Sequence, residues 1–334
     1  VDTYGSDYTV ENGTPLCMRD DGLGPKSIAT YIGKVKKSGQ DLVSAARTPY
    51  IPTPFKGVEV LGERKHRPPK NPNDTEKTMK TLNKLLDPVQ HYEHDILEMA
   101  VNDFEQQTCE TIKNNFDKVS SVLRIYSQEE AMDGTQDGNL FGLPNSTSAG
   151  FPIGKSKKKC LVRDPFDESV VKVPREFNGE FDIQKEIDRT LQCWRSGERS
   201  EPIYKASSKV NELLPTAKAL SKVRKFYGSP FANFVASRRV LAGIPEFMRH
   251  FQEDTECFVG VNATSEHWKK LHDFITTFSS DRMIAGDFAG FDTRMAAQIT
   301  TAAAKIMVNW YRTVGLSEED LLLVRGALSD ICNP

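Results

Sequence analysis

The sequence lacks several features that would indicate a function class at once. Its six cysteines are scattered and form no C-x-x-C pair. This argues against a zinc site or a disulfide framework and is typical of a protein from a reducing compartment. No apolar run reaches membrane-spanning length, and the first residues do not form a signal peptide. Internal repeats and low-complexity tracts are also missing.

A strong net charge of either sign is missing too. The formal net charge is −2 over 334 residues, so the whole chain does not attract nucleic acid, and any such binding must come from local basic clusters. Hydrophobic residues make up 38% and charged residues 27%, which is typical of a globular protein that buries a core. Without an initiator Met, the chain reads as cut from a longer one at both ends, and residues 329–334 read as the start of a loop.

Two carboxylates stand close together near the C-terminal end. Asp287 and Asp292 flank a turn of small and aromatic residues, and a helical pattern follows from Arg294 to Val314. We expect a strand over 282–288, which would place both carboxylates where a metal or a substrate can reach them. Taken alone, the window is better explained by a turn residue and a helix cap.

A second stretch, Thr147-Ser148-Ala149-Gly150, combines small hydroxyl residues with glycine. Such a loop lets the backbone approach a ligand closely, and its N–H and O–H groups suit phosphate oxygens. Five cations follow it directly: Lys155, Lys157, Lys158, Lys159 and Arg163. A solvated lysine-rich loop is the alternative. Beside the Thr147–Gly150 loop, a groove for a phosphate backbone explains the basic run as well as a solvated loop does.

A third stretch is Lys222-Val223-Arg224. Its alternation predicts a strand with both cations on one face. Two cations projected together can neutralise a triphosphate. An exposed edge strand, in which lysines discourage aggregation, is the structural alternative.

Several helices are expected around these stretches. Asp182 should cap an amphipathic helix with a buried stripe. Ser127 and Glu130 form a capping-box pattern. Further helices are predicted over 229–251, after Ser265 and after Ser317.

The three stretches stand in a fixed order, about 75 and then about 65 residues apart. In this order and spacing the sequence resembles the RNA-dependent RNA polymerases of picorna-like positive-strand RNA viruses, over residues 48–334. Thr147–Gly150 is similar to the family's motif G, Lys222–Arg224 to the core of motif F, and Asp287–Asp292 to motif A.

The resemblance implies an α+β right-hand polymerase fold. Four segments follow from it: an N-terminal polyprotein-derived segment over 1–47, an extended proline-rich arm over 48–73, fingers over 74–228 and the start of the palm over 229–334. The first strand and helices of the palm would be present, and the thumb and the rest of the palm missing.

Residue roles also follow from the resemblance. Asp287 and the Phe288 carbonyl would hold Mg²⁺, with Mn²⁺ as a second choice, and Asp292 would bind the ribose 2′-hydroxyl. Lys222 and Arg224 would grip the nucleoside triphosphate. The template entry would be lined by Thr147, Ser148, Ala149, Gly150, Lys157 and Lys158.

The implied partners are an RNA template and primer, nucleoside triphosphates, a small genome-linked protein primer and other viral replication proteins. The implied location is the host cytoplasm, at membrane-associated replication complexes. Two departures from the family stand out. Lys209-Val210-Asn211-Glu212 replaces Lys-Asp-Glu, which puts a role for Lys209 in doubt, and no Gly-Asp-Asp occurs. We therefore expect the chain alone to be inactive.

Two other readings stay open at this point. The chain could be a non-catalytic RNA-binding or scaffold protein that uses its basic loops. It could also belong to a reverse transcriptase or DNA polymerase. Against the latter stands Asp292, because a bulky residue is expected where deoxyribose must pack.

Overall fold

The structure, a computed structural model, describes most of the chain from residue 91 onward. The described ranges are 8–10, 14–15, 30–31, 35–37, 50–52, 59–61, 66–67, 76–77, 79, 83, 89, 91–144, 146–160, 162–163, 171–172, 182–209, 214–215, 223–288 and 290–332. The chain divides into two units, residues 1–88 with 204–228 and residues 89–203 with 229–334. The four segments named from the sequence remain a prediction.

The first unit contributes short antiparallel strand pairs. Its strands are β1 (Tyr8–Val10), β2 (Thr14–Pro15), β3 (Thr30–Tyr31), β4 (Val35–Lys37), β5 (Tyr50–Pro52), β6 (Glu59–Leu61), β7 (His66–Arg67), β10 (Lys205–Ser208), β11 (Leu214–Pro215) and β12 (Lys225–Gly228). The pairs are β1 with β4, β2 with β3, β5 with β6, β7 with β11, and β10 with β12. In the last pair Lys205 lies opposite Gly228.

The second unit is mainly helical. Its helices are α1 (His94–Asn114), α2 (Phe116–Ser120), α3 (Gln128–Asp133), α4 (Ile183–Arg195), α5 (Phe231–Leu241), α6 (Gly243–His250), α7 (Glu266–Ile275), α8 (Phe291–Arg294), α9 (Ala297–Thr313) and α10 (Glu318–Cys332), with the antiparallel pair β8 (Val162–Arg163) and β9 (Val171–Lys172). Among the described residues, no helix combines the length and apolarity needed to cross a bilayer.

The expected helix starts are confirmed. Asp182 caps α4 by accepting a hydrogen bond from the Lys185 N–H at 3.0 Å. Ser127 and Glu130 form both halves of the capping box at α3. The predicted stripe of α4 is buried, with Ile183, Ile187, Leu191 and Trp194 in the core.

The core of the second unit centres on two tryptophans. Trp194 of α4 packs so closely on Gly326 of α10 that a Cβ at Gly326 would overlap the indole. Trp310 of α9 donates a hydrogen bond from Nε1 to Thr108 Oγ1 at 2.8 Å and meets Phe247 edge-on at 5.0 Å between ring centroids. These contacts join α1, α4, α6, α9 and α10 around one apolar centre.

Two of three predictions about the C-terminal part are wrong. Residues 282–288 form no strand, and they lie exposed without a partner strand among the described residues. A strand is stable only when its backbone groups are paired. The helix expected over 294–314 is confirmed as α9, which begins three residues later because Met295 and Ala296 have extended backbones. Residues 329–332 belong to α10, not to a loop.

Candidate active site

The segment that carries Asp287 lies on the surface of the second unit. Residues 281–288 are exposed, and Ile284 reaches 100% exposure. The chain turns at Gly290, whose φ of 69° is left-handed, and enters α8 at Phe291. The rings of Phe288 and Phe291 meet across this turn at 5.7 Å between centroids. Asp287 therefore precedes a helix entry, with no ion pair to any described residue.

Asp292 lies in the first turn of α8, and the structure describes its backbone only. An exposed, unpaired carboxylate at Asp287 fits one ligand of Mg²⁺, because hard cations prefer oxygen ligands. Across the described residues, no three His, Cys, Asp or Glu side chains come together as a metal cluster. Among the described side chains, Asp287 is thus a candidate ligand but not part of a complete set.

The backbone of the Thr147–Gly150 loop is fixed from both sides. Lys157 N–H donates to the Thr147 carbonyl at 2.9 Å, and Ala149 N–H donates to the Lys155 carbonyl at 2.7 Å. On the other side, the Phe231 N–H at the start of α5 donates to the Ala149 carbonyl at 3.0 Å. The loop is therefore held between the segment 155–157 and the first turn of α5.

Gly150 is required by this packing. Its φ is +72°, a left-handed value that side chains with Cβ rarely adopt. A Cβ at this position would also overlap the backbone carbonyl of Ser229. Glycine was expected here to allow close approach to a ligand. In the structure, its close approach is to the chain just before α5.

Lys157 is buried behind the loop. Its side chain is only 7% exposed, and its Nζ donates to Thr147 Oγ1 at 3.0 Å and lies 4.4 Å from the centroid of the Phe234 ring. No carboxylate pairs with it among the described residues. Burial lowers the pKa of the ammonium below its ordinary value, and the nearby charge of Arg238 lowers it further.

These contacts use some hydrogen-bond donors of the loop and leave others available. The hydroxyl of Thr147 donates to the Pro144 carbonyl at 2.9 Å, so its proton is already used. Ser148 Oγ accepts from the Gly150 N–H at 3.2 Å, and its own O–H and N–H have no acceptor among the described residues. Ser148 is exposed. It therefore keeps two donors for an external anion.

The basic run after the loop does not behave as one surface. Lys158 is exposed, whereas Lys157 is turned into the protein. For Lys159 and Arg163 the structure describes the backbone only. Burial of a lysine could not be read from its sequence neighbours. The residues that bury Lys157 include Phe231 and Phe234, whose helix is far away in sequence but packs against the lysine in the structure.

The strand predicted at Lys222–Arg224 lies elsewhere. Lys222 is outside the described residues, and Val223 and Arg224 precede β12, which begins at Lys225. Val223 is buried and Arg224 is exposed, as the predicted alternation requires. The Lys209 N–H donates to the Arg224 carbonyl at 3.0 Å and extends the pairing of β10 with β12. The observed strand, β12, therefore begins three residues after the start expected from the sequence.

The predicted site residues fall in both units. Arg224 belongs to the first, whereas the Thr147–Gly150 loop, Lys157 and Asp287 belong to the second. Within the second unit, the structure brings Lys157 onto Thr147. The assignment of these residues to a site stays a prediction.

Comparison with known proteins identifies the class. The model of the family described as viral RNA-dependent RNA polymerase matches residues 63–334. The chain therefore belongs to this family. A match to a Sicinivirus 3Dpol RNA-dependent RNA polymerase structure, at 14% identity and a TM-score of 0.58, covers 88% of this chain and 57% of that one. This likeness confirms the predicted α+β right-hand polymerase fold.

The curated relatives are viral polyproteins. The chain is 29% identical over 221 residues to the replicase polyprotein of Drosophila C virus (strain EB), covering 62% of this chain and 12% of the relative. It is 23% identical over 222 residues to that of a cricket paralysis virus isolate, covering 66% and 12%. The chain thus spans about an eighth of the length of these relatives. The predicted resemblance to picorna-like viruses is confirmed.

Proposed function

We propose that this chain forms the template-binding and nucleotide-binding parts of a viral polymerase that copies RNA by magnesium-dependent nucleotidyl transfer during genome replication. The observation that carries the proposal is the single family match over residues 63–334, which includes both the fixed loop at Thr147–Gly150 and the exposed carboxylate of Asp287. The loop offers donors to an RNA phosphate, and the carboxylate offers a ligand to a metal.

In this proposal, Asp287 and the carbonyl of Phe288 hold magnesium. The ion supplies stabilisation of the charge that develops on the attacking and leaving oxygens. Asp292 accepts a hydrogen bond from the ribose 2′-hydroxyl and so selects ribonucleotides. Lys222 and Arg224 neutralise the triphosphate, and the exposed position of Arg224 suits that role.

The template contact is assigned to the loop and its basic neighbour. Ser148 donates to a phosphate oxygen through its free N–H and O–H groups, and the exposed Lys158 adds charge. Lys157 acts differently from the direct contact that the resemblance implied. Because its ammonium is buried against Thr147, it serves the template by holding the loop.

The catalytic part is tested in a polymerase that includes the downstream palm as well as this chain. Asp287→Asn should lower RNA synthesis by about 100-fold or more. The substitution removes a charged metal ligand, so the charge of the transition state is stabilised less. Asp292→Ala should lower the preference for ribonucleotides over deoxyribonucleotides by at least about tenfold. Primer extension with each nucleotide class measures both.

The matched control is Asp281→Asn. Asp281 is an exposed carboxylate six positions before Asp287, and it accepts a hydrogen bond from the Ser279 hydroxyl. The control substitution should leave synthesis unchanged. Full synthesis by Asp287→Asn would refute the role of Asp287 as a metal ligand. RNA binding by the loop without any synthesis by the unchanged polymerase would make a non-catalytic RNA-binding protein the better description.

The isolated chain should not extend a primer. No Gly-Asp-Asp occurs in its sequence, so the second carboxylate pair that the family uses has no counterpart here. Robust magnesium-dependent synthesis by residues 1–334 would refute this. We further propose a small genome-linked protein as primer, and a site of action at membrane-associated replication complexes in the host cytoplasm.

A further inference from the structure

One face of α4 and the end of α5 border an open groove that is not part of the candidate active site. Its volume is about 570 Å³, within the range of roughly 300–1,000 Å³ that is typical of ligand sites. The lining residues are Lys185, Asp188, Arg189, Leu191, Gln192, Arg195 and Arg239. Four of these seven side chains carry a positive charge and one carries a negative charge, so the chemistry of the groove favours an anion.

Arg239 forms a fixed part of the groove. The Tyr126 N–H donates to the Arg239 carbonyl at 2.8 Å, and Arg239 Nε donates back to the Tyr126 carbonyl at 3.3 Å. The terminal N–H groups of this half-buried guanidinium find no acceptor among the described residues. Burial lowers the pKa of Arg239, and the charge of Arg195 in the same groove lowers it further, while the charge of Asp188 acts in the opposite direction. Two like charges are thus held together.

The carboxylates around the groove neutralise only part of its positive charge. Glu186 pairs with Arg189, whose Nε donates a hydrogen bond to the carboxylate at 2.9 Å. Glu319 approaches Arg195 at 4.0 Å, the limit of an ion pair, with both side chains largely exposed. Asp188, a lining residue, accepts a hydrogen bond from Gln184 at 3.1 Å. Lys185 has no partner among the described residues. Arg195 has only the long contact to Glu319, and Arg239 uses Nε alone in a hydrogen bond, which leaves its terminal N–H groups available.

We propose that this groove binds the phosphate backbone of single-stranded RNA at a second site, separate from the Thr147–Gly150 loop. Lys185 and Arg195 are ten positions apart on α4, which at 1.5 Å per residue is about 15 Å. One phosphate group cannot meet both ends, whereas a chain of phosphates can. The guanidinium groups match phosphate oxygens in pairs, and the exposed Gln192 amide can contact a base. The inference does not depend on the proposed catalytic activity.

The test compares two arginines in similar settings on the full chain. Arg195→Gln removes a groove cation next to Glu319, and Arg312→Gln removes a cation that lies 3.9 Å from Glu318 outside the groove. Binding of a labelled RNA oligonucleotide is measured over a salt series. Arg195→Gln should weaken binding several-fold and reduce the slope of log K against log salt by about 0.7, the value for one phosphate of a single strand. Arg312→Gln should leave both unchanged.

A second measurement locates the RNA. An oligonucleotide that carries 4-thiouridine is crosslinked to the chain, and the modified peptides are identified. Crosslinks within 185–195 that disappear in the Lys185→Gln/Arg195→Gln double variant support the proposal, and persistence of crosslinks at the loop shows that the fold is intact. Equal RNA affinity and salt slope in the Arg195 and Arg312 variants would overturn it. Displacement of the crosslink by micromolar ATP, with no effect of unlabelled RNA, would overturn it as well.

Discussion

The ammonium of Lys157 donates to the hydroxyl of Thr147 at 3.0 Å, and no carboxylate accompanies it among the described residues. A buried charge without a counter-ion is costly, and the contact with the Phe234 ring offsets only part of that cost. The Thr147 hydroxyl in turn donates a hydrogen bond to the Pro144 carbonyl. This relay fixes the loop whose free donors lie at Ser148.

Replacing Lys157 with methionine should separate stability from binding. The variant loses the hydrogen bond to Thr147 but also the desolvation cost of the ammonium, so thermal stability should stay the same or rise. RNA affinity should fall by about 2- to 10-fold, because the hydrogen bond from the ammonium that orders the loop is lost. Thermal unfolding and RNA binding are measured on the same preparation.

The control for this variant is Lys158→Met, which removes an exposed charge from the adjacent position. It should reduce the salt slope of RNA binding, whereas Lys157→Met should reduce affinity with little change of slope. A fall of several degrees in Tm for Lys157→Met, with RNA affinity unchanged, would mean that Lys157 supports only the core.

Gly150→Ala should destabilise the protein by more than the left-handed backbone strain alone would cost. The Cβ would overlap the Ser229 carbonyl in addition to straining the φ of +72°. Gly138 provides the control, since its φ is +74° and nothing lies within 4 Å of its Cβ position. Gly138→Ala should cost about 1–2 kcal/mol and Gly150→Ala clearly more. Denaturant unfolding of both variants checks this, and equal costs would contradict the overlap.

Helix starts and buried stripes were predictable from the sequence, because caps and 3.6-residue periodicity are local. Asp182 and Ser127 cap helices as expected. The absence of a strand over 282–288 was not predictable in the same way. A β-type run becomes a strand only through a partner, and no neighbouring residue in sequence reveals whether that partner is present.

The candidate site was predictable as a set of motifs but not as a surface. Thr147, Ser148 and Asp287 are exposed, as the motifs suggested, whereas Ala149 and Gly150 are buried. The burial of Lys157 depends on α5, which is more than 70 residues away in the chain. Charge alone grouped Lys157 with Lys158, and only tertiary packing separates them.

The pair of Arg124 and Glu130 should make stability depend on acid pH. Two guanidinium hydrogen bonds, at 2.5 and 3.0 Å, lower the pKa of Glu130 to about 2. A lowered carboxyl pKa gives stability that is present above the unfolded value near 4.5 and is lost as pH falls towards 2. Both side chains are about one-third exposed, so the contribution should be about 1 kcal/mol or less.

The measurement uses Glu130→Gln, which keeps the capping-box geometry but removes the charge. At pH 7 the variant should unfold at a lower denaturant concentration than the wild-type chain. Between pH 4.5 and pH 2 the difference should shrink. A constant difference over this range would show that the cap, and not the ion pair, carries the effect.

Asp330 is the only acidic residue among the described side chains that is as little as 1% exposed, and it joins α10 to α4. Its carboxylate accepts from Trp194 Nε1 at 2.8 Å and from the Ser200 N–H at 3.1 Å, and Arg199 lies 3.6 Å away. Asp330→Asn keeps the shape but replaces one acceptor oxygen with a donor, so one partner loses its bond. Hydrogen bonds to a buried charge contribute about 1.5–3 kcal/mol each, and we expect destabilisation of that size. Denaturant unfolding measures it, with the exposed Glu319→Gln on the same helix as control. A cost below about 0.5 kcal/mol would show that the carboxylate is not what joins the two helices.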